Sequence, residues 1–449
     1  MVKRIVSLAM VLAVSMSLLA GCAAKAPADS NTPAPVAKAK EVTLTLWQQA
    51  SRVETAMIEI QNEFLKENPD IKFNIVEQAD MGTSAVLSAI AAGNAPSVFG
   101  GGYPTMTSYI FQNAAMPIDD YIAKTPDFAN FDKTQVDTFL VNGKHYAVPG
   151  DKYVMGFLYN KKLFKEAGIT NTPTTWDEFY DAAKKLTIPS KQQYGFGLDG
   201  TQWASWHFEQ WVWGAGGDLS KKNADGTATL TFDDPAVKTA SDFYRKLKSE
   251  KLIQTDANMQ LEAIAKDFAM GKSGMIVGGL QSQQVGELVG KGMKIEDLGF
   301  FVNPKGPSGK AYAQIGGDVW FIPVTKDKDL ADAAWKWIMY VNSKSSLDKI
   351  MKERSSKGAI GAGILPRTDL KASDYGTPIP ELQSAMDASN AIGRDEYYAK
   401  GAVGAVADDA IAKWFANPTM DVEKSMKAAQ EAANDKELKD FNNAVTSAK

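Results

Sequence analysis

The segment that most constrains the fold of this chain is residues 143–164, which read GKHYAVPGDKYVMGFLYNKKLF. It follows a turn-prone Asn142, contains Pro149 in an extended stretch, and enters a second apolar run at 154–159 before Asn160 favours the start of a helix. The 449 residues exceed what one hydrophobic core usually serves. We therefore interpret this segment as a crossing between two lobes.

The amino terminus carries a targeting pattern. Lys3 and Arg4 precede an uncharged apolar run that ends in the residues LLAGC, with Cys22 last. This order is typical of a signal peptide, and its ending resembles the lipobox of bacterial lipoproteins, whose cysteine is acylated after cleavage. Cys22 is the only cysteine of the chain and can form no intramolecular disulfide. A plain transmembrane helix is the alternative, but the apolar run is short for a span.

The sequence therefore predicts that residues 1–21 are removed and that Cys22 carries acyl chains such as palmitate. Residues 23–40 consist mainly of Ala, Pro, Lys and small polar residues, contain no aromatic residue, and cannot bury enough surface to fold. We interpret residues 22–40 as the acylated cysteine and a flexible tether, which reaches on the order of 50 Å from the membrane.

After residue 40, strand and helix patterns alternate. Val42, Leu44 and Leu46 alternate with polar residues and predict a strand, a helical pattern follows over 53–64, and a second strand follows at 71–75. Further helices are predicted at 176–186, 235–247, 261–270 and 330–341. This alternation predicts an α/β protein with parallel sheets covered by helices on both faces and with ligand contacts at the carboxyl ends of strands.

The motifs GK-x-YAVP, LYNK-x-LF-x-x-AG and PTTWDE, in this order, resemble the extracellular solute-binding proteins of ABC importers, the sugar-binding family 1 group that includes maltodextrin-binding proteins. The resemblance implies a two-lobed periplasmic-binding-protein type II fold, each lobe a sheet flanked by helices, with the ligand cleft at the hinge. It places the first lobe at 41–150 and 320–388 and the second at 154–315 and 392–449. The implied hinge crossings lie near 150–154, 315–320 and 388–392.

The same resemblance implies ligand contacts at the ends of strands and in the crossings. The candidates outside the tryptophan-rich stretch are Gln48, Gln49, Ser51, Gly102, Tyr103, Tyr153, Gln281, Gly317, Asp318, Trp320 and Tyr397. A carboxylate at 318 accepts two sugar hydroxyl bonds, and glycine permits close backbone approach. The alternatives are a solvated loop for 48–51, a turn cap for Asp318, and hinge packing for Trp320. Several relatives carry Trp where this chain has Gln281.

The densest aromatic stretch lies at residues 203–213. Sugars present apolar C–H faces beside hydroxyls, so flat rings that stack on them suit a sugar site. Aligned on the following Gly-Gly pair, the resemblance implies ligand contacts at Trp203 and Trp206 and packing roles for Trp211 and Trp213. In a helix, Trp203, Trp206 and Trp213 share a face with Gln210, which equally suits a core-facing stripe.

Other function classes have less support. The net charge is −4, and positive and negative residues are interspersed without a basic stripe. This pattern argues against a nucleic-acid-binding role. His145 and His207 show no metal-ligand spacing, and the motifs G-x-S-x-G and H-E-x-x-H and a phosphate-binding glycine loop are absent from the sequence. A secreted polysaccharide-degrading enzyme, a surface-polysaccharide adhesin, and a ferric-ion-binding protein using Tyr397 and Tyr398 remain alternatives.

The sequence thus predicts a monomeric, lipid-anchored protein on the extracytoplasmic face of the cell membrane, with no cofactor and no enzymatic activity. It is expected to close around a carbohydrate, and the many aromatic residues favour an oligosaccharide. The implied partner is the membrane permease of an ABC importer.

Overall fold

A computed structural model describes residues 40–48, 54–78, 83–201, 203–279, 282–356, 365–375, 388 and 391–447. Contacts divide the chain between Lys40 and Glu41, and the fold is that of residues 41–449. The predicted lipid anchor Cys22, the tether, and the candidates Gln49, Ser51 and Gln281 lie outside the described residues. None of the helices in the described part combines the length and hydrophobicity needed to cross a membrane.

The strands, in chain order, are β1 Val42–Gln48, β2 Ile71–Glu77, β3 Phe99–Gly102, β4 Leu140–Val141, β5 Lys144–His145, β6 Val148–Asn160, β7 Tyr194–Gly197, β8 Ser220–Lys222, β9 Ala228–Leu230, β10 Ser273–Gly279, β11 Leu298–Phe301, β12 Ala313–Phe321 and β13 Gly393–Asp395.

The helices are α1 Thr55–Glu67, α2 Thr83–Ala92, α3 Tyr103–Phe111, α4 Asp119–Ile122, α5 Lys133–Asp137, α6 Lys161–Glu166, α7 Trp176–Leu186, α8 Ala204–Ala215, α9 Pro235–Ser249, α10 Leu261–Ala269, α11 Ser282–Gly290, α12 Lys328–Val341, α13 Lys344–Ser356, α14 Lys400–Ala416, α15 Val422–Asp435 and α16 Glu437–Ser447.

Two helix starts show how local sequence sets these bounds. Asn160, predicted to begin a helix, accepts a hydrogen bond from Leu163 N at 3.1 Å and caps α6. At α7, Thr175 Oγ1 accepts from Glu178 N at 3.2 Å, and the Glu178 carboxylate accepts from Thr174 N at 2.7 Å. This reciprocal arrangement is of the capping-box type, and it fixes the start of α7 where the sequence predicts it.

The sheets differ from the sequence prediction in strand direction. Strands β1 and β2 pair in parallel, but the larger sheet runs β13-β12-β6-β10-β7, with β3 paired to β12 and β11 paired to β6. In it β6 is antiparallel to β10, β11 and β12, and β12 is antiparallel to β3, whereas the β10/β7 and β12/β13 pairs are parallel. The predicted parallel sheet is therefore wrong here, because the alternation of element types does not encode the direction of the long strands β6 and β12.

We define the first lobe by the core that packs β1, β2, α1, α12 and α13. Helix α1 buries Ala56, Ile60 and Phe64, which recur every four residues on one face. Phe64 stacks on Phe73 of β2 at a ring-centroid distance of 5.5 Å and meets Trp337 of α12 edge-on at 5.2 Å. A neighbouring cluster around β3 and α3 extends this lobe.

We define the second lobe by the core around β6, α7, α8, α9 and α14. Phe157 of β6 stacks on Phe301 at 5.2 Å and meets Trp211 of α8 at 5.6 Å. Trp414 of α14 is fully buried in the same cluster. Because aromatic side chains bury large areas, these contacts contribute much of the stability of this lobe.

Strands β6 and β12 each contribute to more than one core cluster. Val148 lies in the first-lobe core and Phe157 in the second, while Ala313 lies in a separate cluster with Val154 and Leu158 of β6, and Val319 lies in the cluster that extends the first lobe. The two strands are hydrogen-bonded to each other where they pass between the cores. The hinge boundaries near 150–154, 315–320 and 388–392 stay predictions, and residues 389–390 of the third lie outside the described residues.

Candidate functional site

Tyr153 lies on β6 directly opposite Gly316 of β12. Its ring covers the space that a side chain at 316 would take, since a Cβ there would be 2.2 Å from the Tyr153 Cζ atom. Any larger residue at 316 would displace the ring, so Gly316 sets the place of the phenol. Tyr153 is half-buried against the second-lobe core, which leaves part of the ring exposed beside the crossing.

The start of α3 brings first-lobe candidates to the same crossing. Gly102 ends β3 in an extended conformation, and Tyr103 begins α3 with its ring 4.7 Å from that of Phe139. The Lys152 ammonium lies 4.4 Å from the centroid of the Tyr103 ring, and burial lowers the pKa of Lys152. Sequence reasoning missed Lys152, whose one signal was its place beside Tyr153 in the crossing segment.

The candidates of the second crossing have different environments. Gly317 pairs with Lys152, and the exposed Asp318 lies opposite Gly102, so both lie beside the start of α3. Trp320 is half-buried, packs against the first-lobe core, and lies over Gly100, where a Cβ would be 3.7 Å from its ring. This placement supports hinge packing for Trp320, which the sequence left open.

Gln48 ends β1, and its backbone oxygen accepts a hydrogen bond from Gln78 N at 3.0 Å. Its side chain is half-buried. Leu46 bridges Val98 just before β3, so the carboxyl ends of β1 and β3 lie at one edge of the first lobe. The structure thus brings Gln48 towards the side that carries Gly102.

The tryptophan-rich stretch forms α8 and the residue before it. Trp203 has φ +50° and ψ +42°, a left-handed conformation, and its indole is 48% exposed. Trp206 is half-buried, its indole N–H donates to Glu396 Oε1 at 3.2 Å, and Lys400 pairs with the same carboxylate. Trp211 and Trp213 are buried in the second lobe, where the sequence placed packing residues.

Tyr397 does not lie on a surface that ligand could reach. Its side chain is 1% exposed, and its hydroxyl is 3.1 Å from Ser205 Oγ in the second-lobe core. Its neighbours Glu396 and Tyr398 instead line a cavity of about 570 Å³, together with Arg394 and residues of β8. Tyr397, which the resemblance places at the ligand, is thus a core residue, because its side chain points into the second-lobe core.

Behind α8, a buried carboxyl joins three segments. Glu209 is fully buried and accepts hydrogen bonds from Gln314 Nε2 of β12 and, at 3.0 Å, from Tyr397 N. Burial, with smaller effects from nearby carboxylates, raises the pKa of Glu209 well above its usual value. The network ties the helix that follows Trp203 to the crossing strand β12. Sequence reasoning missed it, because an acid in an aromatic stretch carries no local sign of burial.

Tyr397 and Tyr398 are poorly arranged to bind a ferric ion together, because their hydroxyls bond to different partners. The Tyr398 hydroxyl donates to Gly226 O at 2.7 Å, away from the contact between Tyr397 and Ser205. Burial raises the pKa of Tyr398 to about 12 and raises the pKa of Tyr397 well above its ordinary value, which disfavours phenolates. Among the described residues no group of three or more His, Cys, Asp or Glu is placed to hold a metal ion.

A model of the bacterial extracellular solute-binding protein family matches residues 49–346. This range includes both crossing strands, α8 and most of the helices of the two lobes. The chain belongs to this family. The sequence-based recognition is therefore confirmed, and the family of this solute-binding protein consists of binding proteins rather than enzymes.

Relatives and solved structures support the same fold for this solute-binding protein. The diacetylchitobiose binding protein DasA of Streptomyces coelicolor is 27% identical over 309 residues, which cover 68% of this chain and 70% of that protein. The ABC substrate-binding protein Lmo0181 of Listeria monocytogenes, solved with cycloalternan, has a TM-score of 0.74 at 23% identity and covers 88% of this chain and 99% of that one. The maltose/maltodextrin-binding domain MalE of Bdellovibrio bacteriovorus, bound to maltotriose, has a TM-score of 0.73 at 21% identity with the same coverage. The predicted two-lobed α/β fold is confirmed.

Proposed function

We propose that this protein captures a carbohydrate, an oligosaccharide, by closing its two lobes and delivers it to the permease of an ABC importer. It acts as a monomer without a cofactor, and Cys22 anchors it by acyl chains to the extracytoplasmic face of the cell membrane. The signal-peptide pattern and the tether support the anchor. More than one acyl chain would make such an anchoring stable.

Trp203 is the observation that carries the sugar proposal. A left-handed conformation is costly for a residue with a bulky side chain, and strained residues concentrate at functional sites. Here the left-handed residue directly precedes α8, and Trp203 is half-exposed whereas Trp211 and Trp213 of the same stretch are buried. An exposed flat ring of this kind suits the apolar face of a sugar.

The crossing strands supply the other parts that a sugar site needs. Tyr153 offers a partly exposed ring, and Asp318 offers an exposed carboxylate that can accept hydroxyl hydrogen bonds. Contacts shared between two lobes favour the closed state over the open one, so binding shifts the population towards closure. DasA, the relative named for diacetylchitobiose, supports an oligosaccharide.

The proposal is tested by thermal unfolding of a soluble chain that begins at residue 41, because the described cores lie after that residue. We expect saccharides of one class to raise the melting temperature with saturation, since they bind only the folded state. Monosaccharides, chito- and malto-oligosaccharides, polyols and ferric ion form the panel. A shift with ferric ion alone, or breakdown of the sugar on long incubation, would contradict the proposal.

Replacing Trp203 with alanine is expected to weaken binding of that saccharide by about 1 kcal/mol or more, because a stacking surface is lost. Stability should change little, since the indole is half-exposed. Isothermal titration calorimetry measures the affinity. The matched control is Trp211→Phe on the same helix, which should lower the melting temperature and leave affinity unchanged because Trp211 is buried. Unchanged affinity in Trp203→Ala would argue against stacking.

A further inference from the structure

The side chain of Glu396 joins the loop after β13 to the first turn of α8. It is 5% exposed, and both carboxylate oxygens are engaged. Oε1 accepts the indole N–H of Trp206 at 3.2 Å, and Oε2 pairs with the Lys400 ammonium one turn further along the chain. A buried carboxylate is costly unless it is paired and hydrogen-bonded, and both conditions are met here.

The hydrogen bond from the Trp206 indole N–H to Glu396 fixes the orientation of the indole ring, because the other contacts of the ring do not. The edge of the indole meets His207 at a centroid distance of 4.7 Å, and the Lys400 ammonium lies 5.9 Å from the ring centroid. The ring is half-buried, so packing covers only part of it. The outer torsion of an aromatic side chain is broad, and a directional hydrogen bond at the indole nitrogen selects one orientation.

The backbone that carries Trp206 is fixed by separate contacts to the same part of the second lobe. Ser205 N donates to Asp408 Oδ1 at 2.7 Å, and Ser205 Oγ is 3.1 Å from the Tyr397 hydroxyl. These bonds hold the first turn of α8 against α14 and the segment before it. Loss of the Glu396 carboxylate should therefore free the indole without releasing the helix.

We infer that Glu396 is a positioning residue for ligand binding, which holds the Trp206 indole through its N–H so that one ring face stays open to the saccharide. This rests on the proposed function, because it takes Trp206 as a stacking ring. Glu396 acts through Trp206 and not by contact with ligand, since its side chain is 5% exposed and its oxygens are bonded to Trp206 and Lys400. The ion pair with Lys400 holds the carboxylate in place.

Two variants separate the hydrogen bond from the charge. Glu396→Gln keeps a side-chain oxygen that can accept from the indole, whereas Glu396→Leu has similar volume and no acceptor. We expect Glu396→Leu to weaken saccharide binding roughly tenfold and Glu396→Gln to stay close to wild type. Asp409→Asn, which breaks an exposed pair with Lys413 on α14, is the control and should leave affinity unchanged.

A second readout needs no ligand. The indole N–H resonance of Trp206, assigned by its loss in Trp206→Phe, should move and exchange faster with solvent in Glu396→Leu but not in Glu396→Gln. If Glu396→Leu folds poorly because Lys400 is left unpaired, the double variant with Lys400→Met removes both charges and should show the same loss of affinity.

The inference is overturned if Glu396→Leu keeps wild-type affinity, or if both Glu396 variants lose affinity equally, since the carboxylate itself would then be required. A wild-type protein that binds no saccharide would overturn the proposed function instead. An unchanged Trp206 indole resonance in Glu396→Leu would overturn this inference whichever ligand the protein binds.

Discussion

Replacing Glu209 with alanine is expected to lower the free energy of unfolding by about 2–5 kcal/mol, because two buried donors lose their acceptor and a cavity remains. The donors are Gln314 Nε2 and the backbone N–H of Tyr397. Since Gln314 lies on β12, the loss should also loosen the crossing between the lobes. Urea unfolding followed by tryptophan fluorescence measures the change.

Glu209→Gln should behave very differently, because an amide keeps an acceptor and carries no charge. Gln314 Oε1 is buried and has no hydrogen-bond partner among the described residues. A half-turn of the Gln314 amide would let a protonated Glu209, or the amide of the glutamine variant, donate to that oxygen. Glu209→Gln as unstable as Glu209→Ala would show that a carboxylate is required.

The same pair of proteins reports the protonation of Glu209. Burial chiefly raises its pKa, Glu396 and Asp218 add to the rise, and Lys400 and the Tyr397 N–H oppose it. The folded chain therefore keeps a proton that the unfolded chain releases near its ordinary pKa of 4.5. The stability that this bound proton contributes is fully present below the unfolded-state pKa. It falls as the pH rises from there towards the folded-state pKa, by up to about 1.4 kcal/mol per pH unit.

We thus expect wild-type stability to fall relative to Glu209→Gln over the pH range above about 5, since the glutamine does not titrate. Parallel stability curves for the two proteins over this range would contradict a neutral Glu209. The comparison with Glu209→Gln cancels the other titrating groups, which both proteins share.

Replacing Gly316 with alanine is expected to weaken saccharide binding by about 2 kcal/mol, roughly thirtyfold, because the new methyl group takes the space of the Tyr153 ring. A Cβ at 316 would lie 2.2 Å from Tyr153 Cζ, closer than any real contact. The ring end of tyrosine can move, so the protein should fold with the phenol displaced from the crossing. Calorimetric titration gives the affinity.

Gly100→Ala is the matched control, since it also adds a methyl group beneath an aromatic ring on a paired strand. Its Cβ would meet the Trp320 ring at 3.7 Å, an ordinary contact, so affinity and stability should change little. If Gly316→Ala acts through Tyr153, adding Tyr153→Ala should weaken binding no further. A double variant with additive losses would place the effect in the backbone instead.

The sequence predicted the local elements where one face of an element is buried. The strand predicted from the alternation of Val42, Leu44 and Leu46 and the helix predicted at 176–186 are confirmed. Periodicity identifies a buried face, but it does not say which distant strand lies beside it or in which direction that strand runs. For this reason the antiparallel pairing of β6 and β12 was not predictable from the local pattern.

The residues of the candidate site likewise divide into those that the sequence identified and those that it did not. The sequence singled out Trp203 and Tyr153 because aromatic residues at turns and crossings stand out from the pattern around them. It did not identify Glu209 or Glu396, since their roles depend on contacts with segments far along the chain. A shift of one residue at the end of β13 likewise decides that Tyr397 is buried while Glu396 reaches Trp206.

The core of the first lobe draws side chains from Leu44 in β1 to Tyr375, which lies far along the chain and after α13. During synthesis, β1, β2 and α1 are complete long before α12 and α13 exist to cover Phe64 and Phe73. Contacts this distant in sequence form slowly, because a large loop must close before they are gained. The first lobe thus has no complete core until most of the chain is made, and the second lobe is completed later still, when Trp414 and the rest of α14 are added.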